Sequence, residues 1–325
     1  MSLIDLFGRR INYLRLSVTD RCNLRCSYCM PSQGVIKKGH CEILRFEELY
    51  RIAATATKLG VDKIRITGGE PLVRKGILDF LHRLSALPQL KELVLTTNGI
   101  LLPELAQDLA DAGVQRLNIS LDSLEADTFA RITRRGALSS VLAGIDAAAR
   151  AGLPLKINTV VMRGVNDHEI LDFIRLTLKQ KLSVRFIEYM PVIKEKGWQS
   201  LVMTGEEILK KIRRIHAFDP LDSGRGCGPA QMFRVRGSRG SFGLITPLSG
   251  HFCAHCNRIR VASDGHASSC LFGDNRIDLR PALSEPDDVT LRATFNALIK
   301  EKPERHHLST LEAPHEPFVM ANIGG

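Results

Sequence analysis

The chain has 325 residues, 44% of them hydrophobic and 25% charged, the balance of an ordinary globular protein. That length predicts about two domains, or one large α/β unit with an appendage, and excludes a disordered chain or a small disulfide scaffold. Forty-five Lys plus Arg against 35 Asp plus Glu give a formal net charge of +10, which favours an anionic partner: nucleic acid, a membrane surface or a phosphorylated small molecule.

Residues 1–10 lack the apolar run of a signal peptide, and no stretch reaches ~18 uninterrupted apolar residues. A soluble, cytoplasmic protein is expected. Eight cysteines in such a chain point to metal or catalytic roles rather than to disulfides.

In chain order, short runs rich in Ile, Val and Leu at 13–19, 63–67, 92–96, 116–121, 155–161 and 183–189 read as strands buried on both faces. Helical stripes fall between them. Phe46, Leu49, Ile52, Ala53, Ala56 and Leu59 recur at three- and four-residue steps, and similar stripes lie around 101–112, 138–151 and 167–179. Asp167 is placed to cap the last of these, and Gly113 and Gly152 fall where helix ends need a left-handed residue. Six strand–helix units with short connections predict parallel strands and right-handed crossovers. Six is fewer than the eight of a closed barrel, so an incomplete (βα)6 barrel or an open sheet follows, with ligands at the C-terminal strand ends.

The rhythm stops at the glycine-rich stretch 224–228. A core of 1–228 and a smaller C-terminal region of 229–325 are therefore expected. The latter contains strands near 233–236 and 242–246, an amphipathic helix near 286–299 and a polar tail ending in Gly324-Gly325.

Directly after the first strand, Cys22, Cys26 and Cys29 form C-x3-C-x2-C, a spacing at which three thiols converge on one metal centre. Structural zinc wants four ligands; His40 or Cys41 would have to supply the fourth. Three thiolates fit a four-iron cluster better and leave one iron open to a small chelator. Here the chain resembles the radical S-adenosylmethionine (SAM) enzymes, whose three-cysteine loop follows the first strand of a partial β/α barrel. Thr67-Gly68-Gly69-Glu70-Pro71, after the second strand, resembles their glycine-glycine-glutamate segment, whose backbone and carboxylate meet the SAM amino group. Glycines there let a backbone approach a ligand closely. The resemblance implies that Tyr28 packs near the adenine and that Gly69, Ser120 and Met190 contact SAM.

A second set, Cys253, Cys256 and Cys270, reads C-x2-C-x13-C. His251, His255 and His266 lie close by, so spacing alone leaves zinc open. The next residues, Asn257-Arg258-Ile259-Arg260, put two arginines on one face of a strand, beside which a centre with an open iron suits a phosphorylated, nitrogen-bearing ligand. Both sets, the Arg-Ile-Arg step and the terminal Gly-Gly together are similar to the GTP 3′,8-cyclase family of molybdenum cofactor biosynthesis, over nearly the whole chain. That resemblance implies two [4Fe-4S] clusters, the first reducing SAM to a 5′-deoxyadenosyl radical and the second holding the guanine of GTP. It implies GTP contacts from Arg15, Arg65, Thr96 (with Thr97 adjacent), Lys156, Arg258 and Arg260, a backbone contribution from Ile259, and a tail bringing Gly324 and Gly325 to the active site. Arg15, Arg65 and Lys156 interrupt apolar strands, where unpaired charge is costly.

The product would be 3′,8-cyclo-7,8-dihydro-GTP, passed to the enzyme that makes cyclic pyranopterin monophosphate. An electron donor of flavodoxin type and a homodimer are also implied, with no nucleic-acid or membrane partner. Two alternatives remain at this stage. A radical SAM peptide or protein maturase usually carries more auxiliary-domain cysteines than are found here. A zinc-containing nucleic-acid-binding protein would gather its basic residues with aromatics, yet aromatics are 6% of the chain. Cys41 and Cys227 read as free thiols.

Overall fold

The computed structural model describes residues 2–35, 38–191, 197–222, 228–250, 252–273, 275–306 and 320. The first part alternates as expected: β1 (Tyr13–Ser17), α1 (Phe46–Lys58), β2 (Lys63–Thr67), α2 (Ile77–Ser85), β3 (Glu92–Thr97), α3 (Leu102–Asp111) and β4 (Arg116–Ser120). Then come α4 (Ala126–Thr133), α5 (Leu138–Arg150), β5 (Leu155–Val161), α6 (Ile170–Lys179) and β6 (Ser183–Glu188). The later part adds α7 (Gly205–Arg213), β7 (Phe218–Leu221), β8 (Gln231–Val235), β9 (Ser241–Ile245), β10 (Arg258–Val261), β11 (His266–Ser268), β12 (Arg276–Asp278), α8 (Arg280–Ser284) and α9 (Val289–Lys300).

One twelve-stranded sheet runs β12-β11-β10-β1-β2-β3-β4-β5-β6-β9-β8-β7. Strands β1 to β6 are parallel and in sequence order. β10 joins them in parallel beside β1, and β9 beside β6. The sheet does not close, consistent with an incomplete (βα)6 barrel. The chain after residue 228 thus lines both edges of the barrel rather than standing apart from it.

Side-chain alternation divides the layers. Leu14, Leu16, Ile64, Ile66, Leu95, Leu117 and Ile119 have no exposed surface and belong to the helix-packed core, where each contributes on the order of 1.5–3 kcal/mol. Helix α1 meets them with Leu49, Ile52, Ala53 and Ala56. Residues of the other parity point into the barrel, and they are the polar ones. Gly113 and Gly152 do take left-handed φ values of 85° and 73°.

Four helices escaped the sequence reading: α2, α4, α7 and α8. Each is short, and α7 buries only Gly205, Ile208 and Ile212 on an otherwise charged segment, too little for a visible stripe. Asp167 does not cap α6. It lies in a 3-10 turn that precedes the helix, and its carboxylate accepts from the Gly164 N–H at 2.7 Å. No helix among the described residues is long and apolar enough to cross a membrane.

Candidate active site

The inward-pointing residues enclose a cavity of about 300 Å³, within the range of small-molecule sites. Strand register sets its charge. Arg15 on β1 stands beside Arg260 of β10 on one side and Arg65 of β2 on the other, a row of three guanidiniums. Tyr13, two residues earlier, stands between Arg258 and Lys63. Adjacent cations repel by on the order of 3–4 kcal/mol per pair at an effective dielectric near 20, and burial adds to the cost. Burial and the neighbouring arginines hold Arg15 well below the usual guanidinium range and bring Arg260 to about 10. The Nε atoms of Arg15 and Arg65, Nη1 of Arg260 and the Thr96 hydroxyl are buried without a hydrogen-bond partner. A row of aligned donors and uncompensated positive charge is a receptor for a polyanion.

The first cysteine loop leaves β1 and is held by backbone. The N–H of Gly69 donates to the Thr19 carbonyl at 2.8 Å, and that of Glu70 to the Arg21 carbonyl at 2.8 Å. A Cβ at Gly69 would lie 2.4 Å from the Arg21 oxygen, so the glycine admits the cysteine loop itself. The Glu70 carboxylate accepts from Thr97 Oγ1 at 2.8 Å, the Asn98 N–H at 2.7 Å and the Leu72 N–H at 3.1 Å. It fastens the loop after β2 to the end of β3. Burial raises it to about 7 against the pull of those three donors. On the far side of the loop, the Tyr28 hydroxyl donates to Asp122 Oδ2 at 2.7 Å, while Asp122 Oδ1 accepts from the Val160 N–H at 2.8 Å. Burial brings Asp122 to about 6. Burial pushes the Cys26 thiol well up, and the nearby Asp122 adds to the push; burial and Glu70 act the same way on Cys22.

In the second set burial pushes the Cys253 thiol up, but Cys256 stands in the opposite field. Burial pushes the Cys256 thiol up, but the Arg258 guanidinium and the Lys302 ammonium reverse the effect and bring it to about 6. Arg258 also lies over the Phe252 ring, 4.9 Å from its centroid.

The six predicted thiols and Tyr28, Gly69, Ser120, Met190, Arg15, Arg65, Thr96, Arg258 and Arg260 all line this one cavity. Two predicted residues do not. Lys156 sits outside the lining, among Arg185, Arg116 and Lys63, and burial together with these cations brings its ammonium to about 7. The Ile259 side chain is fully buried in the hydrophobic core, leaving its backbone as the part that could contribute. Gly324, Gly325 and Cys227 lie outside the described residues, as does His251; Met320, four residues before Gly324, lines the cavity. Cys41 is an exposed free thiol. Sequence reasoning missed Lys63, Arg116, Asp122, Asn158, Arg185, Glu188 and His306, all on the cavity wall. Strand parity was the available signal: Lys63 is two residues before Arg65, and Asp122 two after Ser120.

The thiols can be tested for the kind of group they would hold. Tetrahedral zinc at about 2.3 Å from sulfur requires sulfurs about 3.8 Å apart. Among the described residues only Glu125, His168 and Glu169 bring three ligand atoms within 4.8 Å of one another, and neither cysteine set does so. His255 is exposed and off the cavity wall. Three-thiol sets with wider spacing fit a bulkier iron–sulfur centre rather than one ion.

Comparison with known proteins agrees. The Radical SAM superfamily profile matches residues 16–177, and the Molybdenum Cofactor Synthesis C profile matches 182–308. A GTP 3′,8-cyclase of Geobacter sulfurreducens is 59% identical over 326 residues, covering 100% of both chains. One from Moorella thermoacetica is 47% identical over 323 residues, covering 99% of each. The crystal structure of Streptococcus suis SuiB bound to S-adenosylmethionine shares the fold, with TM-score 0.59 and 15% identity over 90% of this chain and 69% of that one. The chain belongs to the GTP 3′,8-cyclase family of radical SAM enzymes, with an iron–sulfur cluster and SAM as its cofactors.

Proposed function

We infer that this chain converts GTP to 3′,8-cyclo-7,8-dihydro-GTP, using two [4Fe-4S] centres and SAM. The observation that carries the reading is a single cavity lined by two three-thiol sets and the arginine row of Arg260, Arg15 and Arg65. Cys22, Cys26 and Cys29 would hold the first centre, and Cys253, Cys256 and Cys270 the second. When bound and reduced, the first centre with SAM supplies a carbon radical able to take hydrogen from the ribose of GTP.

The rest is the work of the protein. Tyr28, Gly69, Ser120 and Met190 enclose the SAM side. Arg15, Arg65, Arg258, Arg260 and Thr96 receive the nucleotide, with Ile259 contributing backbone. Lys156, Lys63, Arg116 and Arg185 make the adjoining floor positive, which suits a triphosphate. Fixing purine and phosphates at once removes most rotational freedom between ribose and base, as ring closure within one nucleotide requires. Met320 on the wall supports delivery of Gly324 and Gly325 to the cavity. The division into 1–228 and 229–325 belongs to this reading, as do a homodimer, a flavodoxin-type electron donor, a cytoplasmic location and a next enzyme making cyclic pyranopterin monophosphate. Neither nucleic acid nor membrane has a part in it.

The test is anaerobic incubation with reductant, SAM and each nucleoside triphosphate in turn. 5′-Deoxyadenosine and a cyclised nucleotide forming together with GTP are expected. 5′-Deoxyadenosine with every nucleotide recovered unchanged would overturn the reading in favour of a maturase.

A further inference from the structure

Two buried cations outside any recognised motif converge on the second cysteine set. Lys302, just past α9, is 3% exposed. Its ammonium donates to the Arg258 carbonyl at 2.9 Å, to the Ser269 carbonyl and to Cys256 Sγ at 3.6 Å. No carboxylate of the described residues pairs with it; the negative groups acting on its charge are the thiolates of Cys256 and Cys270. Arg9, 8% exposed, is ion-paired to Asp5 at 2.5 Å. It donates to the carbonyls of Cys253 at 2.8 Å, Glu304 at 2.9 Å and Pro303 at 2.6 Å. One end of the chain thereby pins the segment that carries Lys302 against the loop that carries Cys253.

A buried ammonium among carbonyls and other cations is costly unless a counter-charge meets it. Three thiolates gathered on a metal centre are such a counter-charge. Hydrogen bonds and positive charge at a cluster's sulfurs stabilise the more negative, reduced state and hold the ligand thiolate in place.

We propose that Lys302 is a positioning residue for the second iron–sulfur centre, donating to Cys256 Sγ, raising the centre's reduction potential and slowing its loss, with Arg9 keeping Lys302 in register. This rests on the reading that the second thiol set holds such a centre, and the test keeps the two apart.

Full-length wild type, Lys302→Met and Lys302→Arg are reconstituted without oxygen. Iron and sulfide are counted, and each centre is titrated by EPR in the absence of nucleotide. In Lys302→Met the potential of the second centre falls while that of the first is unmoved, and iron loss to a chelator from the second centre quickens by roughly 10- to 100-fold. Lys302→Arg restores most of both. The SAM-induced change in the first centre's spectrum serves as the folding control. If Lys302→Met fails that control, Lys302→Gln, which keeps an N–H donor for the carbonyls, is expected to lower the potential in the same direction. A second-centre potential and chelator half-life equal to wild type in the folded charge-removing variant would overturn the proposal. Wild type holding a single centre would instead overturn the two-centre reading, and this role with it.

Discussion

The two cysteine sets line one cavity but sit in contrasting electrostatic surroundings. Cys22 and Cys26 lie near the buried carboxyl groups of Glu70 and Asp122, which add to the effect of burial and push the thiols up. Cys256 lies beside Arg258 and Lys302 and is pulled down. A centre near carboxylates resists taking up an electron and gives it up readily; one near cations accepts negative charge from electrons or ligands. On the proposed reading, the contrast suits reduction of a bound molecule at the first set and capture of an anionic nucleotide at the second. It also predicts that the first centre titrates at the lower potential, which EPR titration of both checks.

The most severe way to break the comparison is to delete one side at a time. Cys26→Ser should remove the first centre and abolish 5′-deoxyadenosine formation. Cys256→Ser should remove the second centre and abolish nucleotide product while leaving the first centre's response to SAM. Iron analysis with product assay distinguishes the two patterns, and equal loss of SAM response in both would erase the contrast.

Arg260→Ala removes the outer member of the arginine row without touching a thiol. Truncating a buried, ligand-pairing charge costs about 2–5 kcal/mol, so nucleotide affinity should fall by roughly 30-fold or more, at unchanged iron content. Lost iron would mean that Arg260 supports the second centre rather than the nucleotide. Gly69→Ala sharpens the other side. The added methyl meets the Arg21 carbonyl at 2.4 Å, and overpacking of this kind costs about 1–3 kcal/mol. Thermal unfolding should show the loss, along with weaker SAM binding, while nucleotide binding without SAM is little changed.

The smallest effect is one of pH. Lys156 is brought to about 7 by burial and by Arg185, Arg116 and Lys63. An anion is held best by the protonated form, so nucleotide affinity should decline as pH rises through 7, and Lys156→Met should flatten that limb. Stability carries the opposite sign. The unfolded lysine titrates near 10.4 and binds the extra proton between 7 and that value, so this group makes the nucleotide-free protein more stable as pH rises across that window. Binding and melting curves measured from pH 6 to 9 check both signs.

Strand runs such as 63–67 and 155–161 could be read to within two residues because Ile and Val recur at alternate positions on the helix-packed face, and that period survives the polar residues between them. Short helices with few buried positions, such as α7, carry too weak a stripe. At the site, cysteine spacing and motif register marked most of the wall, since local loops place those residues with little help from the rest of the fold. Lys63, Arg116, Asp122 and Arg185 were hidden for a different reason: each reads as a common surface charge until the strands are placed side by side and parity turns it inward. Arg9 and Lys302 were further still from view. Their partners are 244 and 46 residues away, and no local pattern announces contacts of that range. Glu70 shows a motif residue whose carboxylate is spoken for by three donors of the chain itself.

The most direct trial of the account is EPR and Mössbauer spectroscopy of the oxygen-free, reconstituted protein, recorded alone, with SAM and with GTP. The account predicts two four-iron centres, with SAM altering the spectrum of one and GTP that of the other. A single centre, a zinc-filled second site, or a second centre indifferent to GTP would contradict it.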